Sequence, residues 1–521
     1  MGAVDSKLKM ESVLSILDIR RRGRQSFIIC LALAVMGIIW MLSQFTPPPR
    51  QIVQEKVIPY AQSWLDQVSV SRSNTLDLSH LEQFVHTPTF SYARRSIKTK
   101  FYGGERPDLT KINEPLFGAA QILDRINLTT IEIDTLDILT LDVPRSPAVD
   151  ETVMSFGMAT DVSRLKNSLP QLRHWLDDTH AQLHVLAPPA NDDLAVEREI
   201  RAMGLNLTIT TNELTFAKRY FSILKTMYEY RSPQTRWLVY MDDDTFVPSL
   251  PYLINHFDKH YNPNDEVMVA AVSDNLNQVK NFGLIPYGGG GIFVSVPLAE
   301  SLLQPDVWEA CLDTERDQGD QIVNDCINSY SKIRPSWDLG LNQMDLNGDV
   351  SGYFESGRRF LTLHHWKTWF SVDVPAVANV SAACGDECIL QRWQFDNNIV
   401  LSNGYSIQEY PRGIKNSSDT VTEKSISSHL DLQKAKVPDV NHGVDLDRVE
   451  RTWGGDKFQW VHHIGPLRDP EPRDEKKQLL MVETVEEEGV GMRQVYIEHA
   501  EQGEGSDSEA IDRVVELVWL F

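Results

Sequence analysis

The chain has 521 residues, more than one ordinary domain needs and enough for a large domain with additions. Apolar residues make up 42% of it, which supports a sizeable core. The formal net charge of −23 excludes a nucleic-acid-binding protein of the usual basic kind, because phosphate contacts need clustered Lys and Arg.

From the N-terminus, residues 27–42 read FIICLALAVMGIIWML. With its uncharged flanks the run covers 26–45, about 20 residues, enough to cross a hydrocarbon core of roughly 30 Å. Arg20, Arg21, Arg22 and Arg24 precede it and Pro47, Pro48 and Pro49 follow. The positive flank predicts a cytoplasmic tail at 1–25, a transmembrane signal anchor at 26–45 and a lumenal remainder. A cleaved signal peptide would have an unusually long basic region here and lacks a small-x-small site. The topology is that of a single-pass type II protein of the Golgi or endoplasmic reticulum membrane.

A lumen gives the cysteines meaning. Cys30 lies in the span, which leaves Cys311, Cys326, Cys384 and Cys388, four thiols with three possible pairings. Cys311–Cys326 and Cys384–Cys388 close short loops and are the expected disulfides; neither spacing is the CxxC of a zinc site. Sequons begin at Asn127, Asn206, Asn379 and Asn416.

Residues 46–129 mix polar runs, short amphipathic pieces and the turn-rich YGGERPD, and read as a stem. TIEIDTLDILTLDV at 130–143 alternates like half-buried strands and opens a domain predicted to run over 130–372. MSFGMAT at 154–160 predicts a buried strand, and Asp161 and Ser163 offer caps to a helix through Leu176. AQLHVLAPP at 181–189 and Leu207–Thr210 predict two more strands. Glu213–Tyr230 carries Leu214, Ala217, Tyr220, Phe221 and Leu224 at helical spacing. Strands alternating with helices predict an α/β fold with a mostly parallel twisted sheet, whose ligands gather beyond the carboxyl ends of the strands.

The segment that carries chemistry is WLVYMDDDTFVP at 237–248. A bulky apolar strand ends in Asp242, Asp243 and Asp244. Adjacent carboxylates beside a core strand repel one another, by about a few kcal/mol at an effective dielectric near 20. A divalent cation with oxygen ligands relieves that repulsion. Alternation of an extended backbone sends Asp242 and Asp244 to one side and Asp243 to the other, so metal and nucleotide sugar hydroxyls can be served separately. The plain alternative is an acidic turn.

A strand ending in DDDTF resembles the Fringe-like and core 1 β1,3-galactosyltransferases of glycosyltransferase family 31. Further segments follow in that family's order: YGGGGIFVS at 287–295, GDQIVNDC at 319–326 and LTLHHW at 361–366, while MDLNGDVSGYFES at 344–356 resembles the fungal and plant branch. The resemblance covers about 150–372. It implies a GT-A-type nucleotide-sugar-binding domain using Mn2+ or another divalent cation, a UDP-sugar donor and a glycan or glycoprotein acceptor. It implies Asp244 and His364, or alternatively His365, as metal ligands, with Asp242 as a further one. Donor contacts are implied for Asp242, Asp243, Gly289 and Gly290, and, from topology, for Phe156, Gly157 and Ala159. Asp320 matches the catalytic carboxylate; Asp317, also acidic and three residues earlier, is its alternative. The reaction so implied is a single displacement with inversion, transferring a hexose or N-acetylhexosamine, with β1,3 linkage the family's leaning.

Residues 373–521 contain the CGDEC loop, a polar stretch at 413–446 and aromatic alternating pieces, and are expected to form a small β-rich C-terminal extension. Two readings compete with an enzyme of this kind. A glycoside hydrolase with paired carboxylates does not explain a contiguous DDD. A non-catalytic membrane-tethered lectin or scaffold would be indifferent to loss of Asp320.

Overall fold

The computed structural model describes residues 72–189, 194–415, 443–454, 467–472, 475–500 and 510–521. The 26–45 segment, Asn416 and most of the 413–446 stretch lie outside the described residues. Among the described residues no helix is long and apolar enough to cross a membrane.

Two sheets organise the described chain. The first has seven strands, in the order Ser336–Trp337, Met268–Ala271, Tyr287–Ser295, Trp237–Tyr240, Met154–Ala159, Gln182–Ala187 and Leu207–Thr211. All neighbours are parallel except Tyr287–Ser295, which runs antiparallel to both of its own. Its middle strands are buried along their whole length, which is why they read as unbroken apolar runs rather than alternating ones.

Helices cover both faces. Val162–Leu176 begins after Asp161 and packs Leu165, Leu169, Leu172 and Trp175 against Val239 and Phe293. Phe216–Tyr230 packs Tyr220, Leu224 and Met227 against Leu238 and Tyr240 on the other face. This helix starts three residues later than its apolar pattern predicts. The Asn212 side chain accepts from the Leu214 backbone N–H at 3.2 Å and holds that stretch in a turn.

The second sheet has ten strands and draws on both ends of the chain. Thr89–Tyr102 pairs in parallel with Asp512–Leu520, from Phe90 opposite Asp512 to Lys98 opposite Leu520. Leu139–Pro144 and Gln121–Asp124 flank Thr89–Tyr102. On the far side follow Gly491–Glu498, Lys477–Glu487, Ser406–Glu409, Ile399–Ser402 and Arg392–Phe395. The seven-stranded sheet is therefore inserted into the second one.

This changes three expected boundaries. Residues 72–129 are sheet rather than stem. Leu139–Pro144 pairs with Thr89–Tyr102 in the second sheet, and Ile131–Thr135 pairs with Arg72–Leu76 in a small two-stranded sheet of its own, so neither joins the seven-stranded sheet of the expected 130–372 domain. The C-terminal strands are one part of a ten-stranded sheet rather than a small separate extension. Thr89–Tyr102 looks like a polar stem because of its cations, but Arg94 pairs with buried Glu516 at 3.0 Å and Arg95 with Glu114 at 2.9 Å.

A shared apolar cluster joins the two parts, with Phe246, Leu363 and Trp366 on one side and Val377, Ile389 and Trp453 on the other. Beside it lies a buried ion network. Lys476 reaches Glu355 at 2.7 Å and Glu450 at 2.6 Å, and Glu355 also accepts from Ser406 Oγ at 2.6 Å. Glu355, within the 344–356 segment, thus has a structural occupation.

Candidate active site

The Trp237–Tyr240 strand delivers three carboxylates to its carboxyl end. Thr245 holds the turn: its Oγ1 accepts from the Asp242 N–H at 2.9 Å and donates to the Gly289 carbonyl at 2.8 Å. Phe246 then bridges to Leu363, which brings the following histidine alongside. His364 Nε2 lies 2.9 Å from Asp244 Oδ1 and 3.4 Å from Asp242 Oδ2. Asp243 turns the opposite way, onto Arg164, which grips it with Nε at 2.7 Å and Nη2 at 2.6 Å, and onto Thr160 Oγ1.

The histidine pair completes a cluster. Asp244, His364 and His365 place one ligand atom each within 4.8 Å of one another. His365 adopts a left-handed backbone, φ 58°, which lets consecutive imidazoles face the same centre. Its Nε2 is 3.0 Å from Asp345, a buried carboxylate that also accepts from Ser273 Oγ. Such an outer carboxylate orients an imidazole.

The electrostatics call for positive charge between the acids. Burial disfavours a charged His364, but the hydrogen bonds and charges of Asp242 and Asp244 override it and push the imidazole up to about 10. Burial likewise works against ionised Asp244, yet His364, His365 and Lys367 hold its carboxyl down to about 2. A divalent cation bound there would supply that positive charge, with His364 giving up its proton to ligate it. One carboxylate and two imidazoles suit a divalent ion such as Mn2+ or Zn2+, and Asp242 stands near enough to join.

Asp320 opens the helix Gly319–Tyr330, with Oδ1 accepting from the Gln321 N–H at 2.8 Å. Burial raises its carboxyl to about 6, with the charge of Asp242 acting in the same direction. Asp317 is exposed to solvent outside that helix. The disulfide Cys311–Cys326 ties the Asp320 helix to Pro305–Leu312 in front of it, and Cys384–Cys388 is also formed, so both expected pairings are present.

Several donor contacts expected from the resemblance have other occupations. Phe156 is buried against Trp175, ring centroids 4.7 Å apart. A Cβ on Gly157 would meet Ile223 at 2.6 Å, and Ala159 is closed into the core with Leu186 and Ala217. It is Thr160, at the strand's end, that reaches the acidic turn. Gly289 and Gly290 are glycine for packing. A Cβ on Gly289 would lie 2.1 Å from the His364 ring, and one on Gly290 would lie 2.3 Å from the Ala271 Cβ. Asp243 has both oxygens engaged by Arg164 and Thr160, so its role here is to fix the turn. Of the sequons, Asn127, Asn206 and Asn379 are exposed.

Sequence reasoning missed Thr160, Arg164, Asp345 and Gln343, whose Oε1 accepts from the Gly290 N–H at 2.8 Å. The Asp161–Arg164 start of a helix after a buried strand was the available signal for Arg164.

Residues 277–429 match a family model described as a protein of unknown function, DUF604; the match takes in the glycine strand, Asp320 and the histidine pair. No curated protein matches the chain. Among solved structures, mouse xyloside xylosyltransferase 1 aligns at 13% identity over 42% of this chain and 98% of its own, with a TM-score of 0.29. The galactosyltransferase LgtC, in complex with donor and acceptor sugar analogues, aligns at 14% identity over 43% of this chain and 81% of its own, TM-score 0.27. The glycosyltransferase GlyE of Streptococcus pneumoniae aligns at 11% identity over 43% and 58%, TM-score 0.28. Scores this low add nothing to what the strand order and the site already show.

Proposed function

We propose that the chain is a divalent-cation-dependent glycosyltransferase that moves a sugar from a UDP-sugar to an acceptor hydroxyl with inversion. The observation that carries this reading is the convergence of Asp244, His364 and His365 with Asp320 at the carboxyl end of one mostly parallel sheet. Asp244, His364 and His365 would hold the cation, with Asp242 beside them. Such an ion neutralises the two phosphates of a nucleotide diphosphate and the charge they gain on departure.

Asp320 supplies the other half of the chemistry. A carboxylate tuned toward neutral pH is suited to general-base work. It takes the acceptor hydroxyl proton as that oxygen bonds to the anomeric carbon; the bond to the diphosphate breaks, and its electron pair leaves with UDP. The acid behind the histidines, Asp345, and the Arg164–Asp243 pair keep the machinery rigid. Membership of glycosyltransferase family 31, β1,3 transfer of a hexose or N-acetylhexosamine to a glycan or glycoprotein, and a type II anchor with the site in the Golgi or endoplasmic reticulum lumen belong to the same proposal. They rest on the ordered sequence segments and the arginine-flanked apolar run.

A screen of the 46–521 chain over UDP-sugars tests it. Manganese-dependent release of UDP from at least one donor, abolished by chelator, is expected. Absence of hydrolysis or transfer with every donor and metal would leave a non-catalytic binding protein as the better reading.

A further inference from the structure

Three adjacent strands of the second sheet bring a separate ligand set together, far along the chain from the acidic turn. His86 precedes Thr89–Tyr102, His499 follows Gly491–Glu498 directly, and Asp512 opens Asp512–Leu520. Asp512 is buried, whereas both imidazoles are exposed at the rim.

The carboxylate is locked in place. Oδ2 accepts from the His86 N–H at 2.6 Å, Oδ1 from the Ala500 N–H at 2.8 Å, and the Asp512 N–H donates to Thr87 Oγ1 at 3.0 Å. The two imidazoles stack 8° from parallel with centroids 4.2 Å apart, and because a ring lone pair lies in its own plane, one of these exposed rings has to turn about its side-chain bonds to share an ion with the other. One ligand atom from each of the three residues falls within 4.8 Å of the others. His499 Nδ1 stands 3.4 Å from Asp512 Oδ2. That is long for a direct charged hydrogen bond. It equals the spacing of two ligands across a tetrahedral ion with bonds of about 2.0–2.1 Å, which is about 3.4 Å.

We propose that His86, His499 and Asp512 form a second metal site, for zinc or a similar borderline divalent cation, with a structural role. Two imidazoles and one carboxylate favour such ions over the harder cations that prefer oxygen alone. The ion joins the segment before Thr89–Tyr102 to Gly491–Glu498 and Asp512–Leu520, and so clamps these three strands at one rim of the sheet. The proposal stands apart from the glycosyltransferase reading, since no residue is shared with the Asp244 cluster.

Both histidines are exposed, so replacing them should leave the fold intact. Full-length wild type, His499→Gln and His86→Gln are stripped with chelator and titrated with zinc by calorimetry. Each variant should bind one zinc fewer per chain than wild type, or bind that zinc roughly tenfold or more weakly. Each should also lose the zinc-dependent rise in melting temperature. Manganese-dependent UDP binding should not change. Zinc stoichiometry and melting shift equal to wild type in both variants would overturn the site, as would complete loss of zinc binding in Asp244→Asn with His86, His499 and Asp512 intact.

Discussion

At the scale of single residues, the site divides between groups that act and groups that hold. On the proposed reading Asp320 is the group that acts. Asp320→Asn should retain UDP and manganese binding while its transfer rate falls by roughly 100-fold or more, the usual scale for loss of a general base. Exposed Asp317 is the control, and Asp317→Asn should transfer nearly normally; the reverse pattern would move the base by three residues. Because the Asp320 carboxyl sits near 6, and only its ionised form accepts a proton, transfer should rise as pH passes through about 6 and then level off. His184 makes a stability test. It is fully buried, neither ring nitrogen has a hydrogen-bond partner, and burial pushes it down to about 4. The unfolded chain protonates near 6.5 and the folded one does not, so stability is present above 6.5 and falls as pH drops toward 4. The loss should reach about 3 kcal/mol at most. His184→Leu should lose less stability than wild type between pH 7.5 and 5 in denaturant melts, and an identical loss in both would refute the account of His184. The acidic run was legible in the sequence because three carboxylates after an apolar strand need a partner. Arg164 and Thr160 were not, since they stand 79 and 83 residues from Asp243 and meet it only through parallel strand pairing.

At the scale of elements, the glycine strand was visible and its reason was not. YGGGGIFVS reads, by its resemblance, as a donor-contact motif, and Tyr287–Ser295 is a fully buried strand with helix, histidine and sheet neighbours pressed onto its backbone. Only three-dimensional neighbours reveal that the His364 ring occupies the space of a Gly289 side chain. Gly289→Ala should therefore destabilise the chain by about 1–3 kcal/mol, the usual cost of overpacking. It should also weaken manganese-dependent UDP binding by displacing the ring. Removing the ring as well, in Gly289→Ala/His364→Ala, should recover much of the stability cost of Gly289→Ala. Strictly additive costs in urea melts would show that the ring is not what the glycine accommodates. The alternating strands and helices from 154 to 240 were readable from apolar periodicity because both faces of that sheet are covered by helices.

At the scale of the whole molecule, the sequence pointed to a catalytic domain between a stem and an extension, and the chain instead closes a sheet from both ends. Long-range parallel pairing leaves no local signature, so Thr89–Tyr102, with Arg94 and Arg95 neutralised by Glu516 and Glu114, passed for a polar stem. Asp512–Leu520 is an interior strand with partners on both sides. A 130–372 fragment should for that reason fail to fold, having lost the sheet and the Val377–Ile389–Trp453 side of the shared core; a soluble fragment with a cooperative thermal melt would contradict this. The central claim, that the two parts together support one metal-dependent nucleotide-sugar site, has a direct measurement in calorimetric titration of UDP into wild type and Asp244→Asn, with manganese and with chelator. Wild type should bind UDP tightly only with manganese, and Asp244→Asn should remain folded and lose that metal-dependent binding. Undiminished UDP affinity with manganese in Asp244→Asn would contradict the account.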